Sequence, residues 1–141
     1  VACPYFYPVD RLDDGAWIKP PRLPLGALYR GFCHSVDGHE FEPDARAARE
    51  CCNTGYARGK CARFPDRGVV DAFRFSVEED ANGVIEVVFV LEAGWSPARF
   101  GRAQWIQGAL RCEEPLDPLL RRQMEVFIEN YLERRARSAH A

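Results

Sequence analysis

Between residues 71 and 92 the apolar and polar positions follow two different patterns, and the fold can be read outward from them. Phe73, Phe75 and Val77 alternate with Arg74, Ser76 and Glu78, the period of two that marks a strand with one buried face. Residues 80–83 (DANG) follow, and Asn82-Gly83 supplies the positive φ angles of a tight hairpin turn. Residues 84–92 (VIEVVFVLE) are almost continuously apolar, which predicts a central strand covered on both faces.

A helical period closes the chain. Leu120, Met124, Phe127, Ile128, Tyr131 and Leu132 form one stripe. Asp117 is placed to cap that helix and Pro118 to occupy its first position, while Arg134, Arg135 and Arg137 suit the negative end of its dipole. The stripe is predicted to pack on the sheet. Residues 94–101 (GWSPARFG) read as a loop, and 102–111 fit either a third strand or a short helix. A second helix is predicted over 43–52, opened by Pro43 and Asp44. It would turn Arg46, Arg49 and Glu50 outward and Ala45, Ala48 and Cys52 inward, with Cys51 at the margin. Asn53 and Gly55 suit its end.

Residues 1–32 carry neither period. Pro4, Pro8, Pro20, Pro21 and Pro24 predict an extended arm, polyproline-like over 17–25. Its apolar residues, from Tyr5 and Phe6 to Leu28 and Tyr29, would wrap it around the domain. Residues 33–42, with Cys33, His34 and His39, read as a loop. The fold class is therefore α+β: an irregular Cys-rich N-terminal lobe wrapped on an antiparallel β-hairpin or small sheet, packed by a C-terminal amphipathic helix. We expect one domain over residues 1–141, with a metal-binding lobe at 1–65 and a hairpin-plus-helix lobe at 69–141.

Composition narrows the function. With 141 residues, 47% of them hydrophobic and 12% aromatic, the chain can bury a real core and is not of the disordered class. A net charge of −2 and a pI near 5.9 argue against nucleic acid as a partner, because phosphate binding needs clustered positive charge. No apolar run approaches the ~18 residues of a membrane span. No basic-then-apolar leader precedes Cys3, so the expected compartment is cytoplasmic.

In that compartment six cysteines point to metal or redox chemistry rather than to a disulfide framework. Residues 51–65 (CCNTGYARGKCARFP) hold three of them, and Cys3 and Cys33 lie upstream beside aromatic residues. Paired C-x-x-C zinc knuckles and ferredoxin spacings are both missing. What remains is one ligand from each of four segments, Cys3, Cys33, Cys52 and Cys61, with Cys51 as the alternate to Cys52. Ligands dispersed in this way suit a bulky [4Fe-4S] cluster enclosed by several loops. Structural zinc is the alternative, in which His34 or His39 could replace a cysteine; disulfides and plain buried thiols are the others.

Tyr5, Phe6, Tyr7, Phe32, Tyr56 and Phe64 would wall the centre. Gly31, Gly55 and Gly59 would let backbone N–H groups approach sulfur, and Arg30, Arg58, Lys60 and Arg63 would offset its charge. Cys112 reads as a small buried apolar residue.

Catalytic motifs are missing: there is no phosphate loop, nucleophile elbow or His-Glu-x-x-His run. The expected function is an electron-transfer or accessory subunit of a larger oxidoreductase complex without catalysis of its own. The alternative is a metal-stapled protein–protein interaction module docking through 69–141, which exposed Trp95, Phe100 and Trp105 would favour.

Overall fold

The computed structural model describes residues 2–12, 23–36, 39–53, 57–58, 60–65, 70–94 and 96–139. Two antiparallel sheets and a long C-terminal helix make up the α+β fold. The first sheet has the order β1 (Phe6–Arg11), β2 (Tyr29–Val36), β3 (His39–Phe41). The second has four strands in sequence order: β4 (Ala72–Ala81), β5 (Val84–Ala93), β6 (Ser96–Ile106) and β7 (Ala109–Arg111).

The hairpin of the second sheet forms as its pattern dictates. Phe75 pairs with Phe89 and Val77 with Val87, and Asn82 (φ 56°) and Gly83 (φ 79°) make the turn. A register shift between Val77 and Glu79 bulges β4 at Glu78. Inner-face residues Phe73, Phe75, Ile85, Val87, Phe89, Ala103 and Leu110 are buried. Double coverage of β5 is not what forms, since Val84, Val88 and Val90 on its other face are only half-buried.

The segment read as a loop over 94–101 is strand. It carries the first half of β6, which follows β5 closely because Ala93 pairs directly with Ser96. Pro97 is tolerated there because this part of β6 lies on the sheet edge. Residues 102–111 resolve as strand too, through a second two-residue turn at Gln107 (φ 52°) and Gly108 (φ 77°).

The arm is also more regular than its prolines suggest. Phe6 pairs with Cys33 and Tyr7 with Phe32, and a shift at Pro8/Asp10 accommodates the proline. Residues 33–36 and 39–41, read as loop, are strand as well. Long-range pairing overrides local preference here. Of the polyproline-like stretch expected over 17–25, residues 17–22 lie outside the described residues, and 23–25 form a turn instead, closed by the Gly26 N–H on the Leu23 carbonyl at 2.9 Å.

After Asp44, whose Oδ1 accepts the Ala47 N–H at 2.8 Å, one α-helical turn (α1, Ala45–Ala47) widens into a π-helical segment, Ala48–Cys52. The Asn53 N–H closes that wider turn on the Ala48 carbonyl at 3.1 Å. As a result Cys51 is not marginal: it is as buried as Cys52, while Ala45 is exposed.

The last helix, α2 (Pro118–Ala139), is capped by Asp117, whose Oδ1 accepts the Leu119 N–H at 2.9 Å. Its apolar stripe is buried or half-buried as expected. Its polar residues Gln123 and Asn130 are buried too, because the arm covers them. Gln123 Nε2 donates to the carbonyls of Cys3 (2.7 Å) and Phe6 (2.8 Å), and Asn130 Nδ2 donates to the Leu25 carbonyl (2.8 Å) and the Tyr29 hydroxyl (2.7 Å). Arm and helix join through side-chain amides, and one apolar cluster runs from Ala2, Cys3 and Phe6 to Phe73, Phe127 and Ile128.

Candidate metal centre

Backbone contacts bring the cysteine-bearing segments together. The Cys3 N–H donates to the Cys52 carbonyl at 3.3 Å, and the Cys3 carbonyl accepts the Phe6 N–H at 3.2 Å. Phe6 in turn lies across from Cys33 in the sheet, and the His34 N–H donates to the Tyr5 carbonyl at 2.8 Å. Residue 61 is returned to the same side by a turn in which its N–H donates to the Ala57 carbonyl at 2.7 Å. Cys61 lies near enough to Cys51 to raise its thiol. Cys3, Cys33, Cys51 and Cys52 are buried and Cys61 half-buried; all are free thiols.

Three of the five thiols, Cys3, Cys51 and Cys52, are raised. Burial pushes the Cys3 thiol up from an ordinary 9.0 to about 12; a backbone hydrogen bond from Tyr5 opposes the shift, and nearby Cys33, Cys61 and Cys51 add to it. Cys52 is raised further, first by burial and then by Cys3, Cys33, Cys61 and Cys51. Cys51 is raised by burial, by Cys61 and by Glu50, with Lys60 lowering it. Thiolates so enclosed would repel one another and lose hydration, so ionising them together calls for a cation among them.

Convergence is not yet coordination. Among the described residues, no three or more Cys, His, Asp or Glu side chains are gathered closely enough to hold an ion. The donor types nevertheless suit a soft or borderline metal: thiols drawn from four segments, Cys3, Cys51 and Cys52 lying within the apolar core and Cys61 against it. Cys112 stands apart at the edge of the second sheet, half-buried, its thiol donating to the Arg102 carbonyl at 3.5 Å. His34 is turned to Glu40, 3.3 Å away, and His39 is exposed.

The expected surroundings are only partly there. Tyr5 and Phe64 meet edge to face at 5.4 Å beside Cys3 and Cys61 and form an aromatic wall. Gly31 serves another purpose: a Cβ there would fall on the Tyr7 carbonyl, so it is needed for the β1–β2 approach rather than for sulfur. Gly55, Tyr56 and Gly59 lie outside the described residues. Two of the four cations are committed elsewhere, Arg30 to Glu42 at 2.9 Å and Arg63 over the Phe41 ring at 4.1 Å, while Arg58 pairs with Asp71 and lies over the Phe64 ring at 4.6 Å. Lys60 is the one that lowers a thiol.

Three residues that shape the pocket carry no sequence signal of that role. Asn53, fully buried, accepts the Tyr29 N–H at 3.0 Å and donates to the carbonyls of Tyr29 and Ala48, each at 2.9 Å. It thereby clamps the π-helical segment to β2, although its position marks it only as a helix terminator. Gln123 holds both ends of the Cys3 turn, and its own Oε1 is buried without a partner among the described residues. Ser35 Oγ accepts from the Cys33 thiol at 3.2 Å.

Among the described residues, no helix is long and apolar enough to cross a membrane. Compared with family models, with curated proteins and with solved structures, the chain matches none.

Proposed function

We propose that Cys3, Cys33, Cys52 and Cys61, with Cys51 as the alternate to Cys52, hold an iron–sulfur cluster of the [4Fe-4S] type, and that the chain is an electron-transfer or accessory subunit of a larger oxidoreductase. The observation that supports this reading is that five of six cysteines, from four separate segments, lie near enough to influence one another, four of them buried and Cys61 half-buried. When bound, such a cluster supplies a site that takes up and releases one electron at a time. The chain's part is to exclude water with Tyr5 and Phe64, to set the Cys3 turn through Gln123, and to offer the Ser35 hydroxyl to the Cys33 sulfur. Lys60 supplies positive charge near Cys51. Cys61 is the half-buried member of the set.

Anaerobic purification with iron and sulfide analysis tests this directly. About four of each per chain, a brown protein and reversible bleaching by dithionite are expected. Cys52→Ser and Cys61→Ser should lose the iron, and Cys112→Ser should keep it. A colourless protein carrying one zinc would overturn the reading. Zinc would then favour the second reading, a metal-stapled interaction module; of the three aromatic residues expected on its docking surface, Phe100 is 66% exposed on β6, Trp105 is half-buried against the core, and Trp95 lies outside the described residues. Capture of a partner that survives Cys61→Ser would select that reading.

A further inference from the structure

The turn that carries Cys61, described over 57–58 and 60–65, is tied together from within. The Ala57 carbonyl accepts the N–H groups of Lys60 at 3.0 Å and Cys61 at 2.7 Å, and the Cys61 carbonyl accepts that of Phe64 at 3.1 Å. Among the described residues, no backbone hydrogen bond joins this turn to a strand of either sheet. A side chain makes the link instead. Arg58 reaches out of the turn to Oδ1 of Asp71, the residue just before β4. Asp71 is itself fixed to the second sheet: its N–H donates to the Glu92 carbonyl at 2.6 Å, and its Oδ2 accepts the Gly94 N–H at 2.6 Å. Only 6% of the Asp71 side chain and 32% of the Arg58 side chain are exposed, so removing either charge leaves the other poorly hydrated and uncompensated. The same guanidinium lies over the Phe64 ring, 4.6 Å from its centre, and Phe64 meets Tyr5 edge to face. Arg58 thus holds the turn at its start through its own backbone and at its end through Phe64, with Cys61 between.

We infer that Arg58 and Asp71 are positioning residues for Cys61: their ion pair locks the turn to the second sheet and so fixes where this thiol stands relative to Cys3, Cys51 and Cys52. The functional meaning of the lock rests on the cluster reading; the lock itself does not. Its effect is confined to one ligand. Cys33 is set by strand pairing in β2, the Cys3 turn by Gln123, and Cys52 by the segment that Asn53 clamps to β2. Freeing Arg58 from Asp71 therefore displaces Cys61 and leaves the other three in place.

Iron loss to a ferrous chelator and amide hydrogen exchange test this together. Arg58→Met keeps bulk and removes the charge, Asp71→Asn keeps an acceptor for the Gly94 N–H, and Arg58→Lys keeps the charge. Reconstituted Arg58→Met and Asp71→Asn should release iron at least tenfold faster than the wild type, the double variant no faster than the quicker single one, and Arg58→Lys at a rate between. In the metal-free chains the amides of Lys60, Cys61 and Phe64 should exchange faster by a similar factor while the β4–β5 hairpin keeps its protection. Iron loss at the wild-type rate in both single variants overturns the inference. So does faster exchange spread across the hairpin, which would make the pair a support of the sheet rather than of the turn. A wild-type chain that takes up no iron defeats the cluster reading alone, and the exchange of those three amides then decides the lock.

Discussion

Asn53 shows how much a single buried amide can carry in this protein. Its side chain is the sole described partner of the Tyr29 N–H and satisfies two carbonyls in addition. Replacing it with alanine leaves a buried donor and acceptor unmet, at about 1–3 kcal/mol each. Urea denaturation of Asn53→Ala should therefore show a loss of about 2–4 kcal/mol; a loss within 0.5 would mean that the clamp is dispensable. Ser35 acts more quietly. Under the cluster reading its hydroxyl donates to the Cys33 sulfur and stabilises the reduced, more negative state. Ser35→Ala should lower the reduction potential with iron content unchanged; protein-film voltammetry would register an unmoved or raised potential as a failure. Gly31 has no side-chain role at all, yet Gly31→Ala should destabilise the arm because the added carbon overlaps the Tyr7 carbonyl.

At the scale of elements, α2 works as a spine with two covered sides. Its apolar stripe meets the second sheet, and Phe75 and Phe127 lie 5.6 Å apart between ring centres. Its other side receives the arm through Gln123 and Asn130 and through Arg122, which donates to the Pro8 carbonyl at 2.7 Å. Gln123→Leu keeps the bulk and removes both hydrogen bonds to the Cys3 turn. Amide hydrogen exchange should then speed up across β1 while the β4–β5 hairpin stays protected. Equal acceleration of both would show that arm and sheet open as one unit. The far end of the helix is fastened differently: Asp80 accepts from the Tyr131 hydroxyl at 2.7 Å and from Arg135 at 2.8 Å, and these hold its carboxyl below the usual range.

For the whole molecule, the buried thiols make stability depend on pH. The Cys3 thiol ionises near 12 in the folded chain against an ordinary 9.0, and Cys52 and Cys51 are raised as well, first by burial. Above about pH 9 the unfolded chain loses protons that the folded chain keeps, so the folded state is progressively disfavoured from there towards 12. Metal-free protein should therefore show its midpoint of thermal unfolding falling as pH rises from 8 to 10.5. Protein carrying the proposed cluster, with its sulfurs already deprotonated, should fall much less. Identical pH profiles with and without metal would count against those sulfurs as ligands.

The residues themselves determine the β4–β5 hairpin, the α2 stripe and its Asp117 cap, because each depends on neighbours within a few positions: alternation, a turn of required φ, a helical period. That Cys3, Cys33, Cys52 and Cys61 share a centre is an expectation drawn from the few other uses of thiols spread over four segments, and among the described residues they form no group close enough to hold an ion. Chain-distant contacts decided the rest. The arm became a sheet because β1 and β2 pair across the residues between them, against the local signal of its prolines. The loop before Phe100 became strand because β5 offered it an edge. Cys51 turned inward because Asn53, held by Tyr29, closes a wider helical turn. Backbone pairing energy and buried amides act between positions far apart in the chain, where no local period records them.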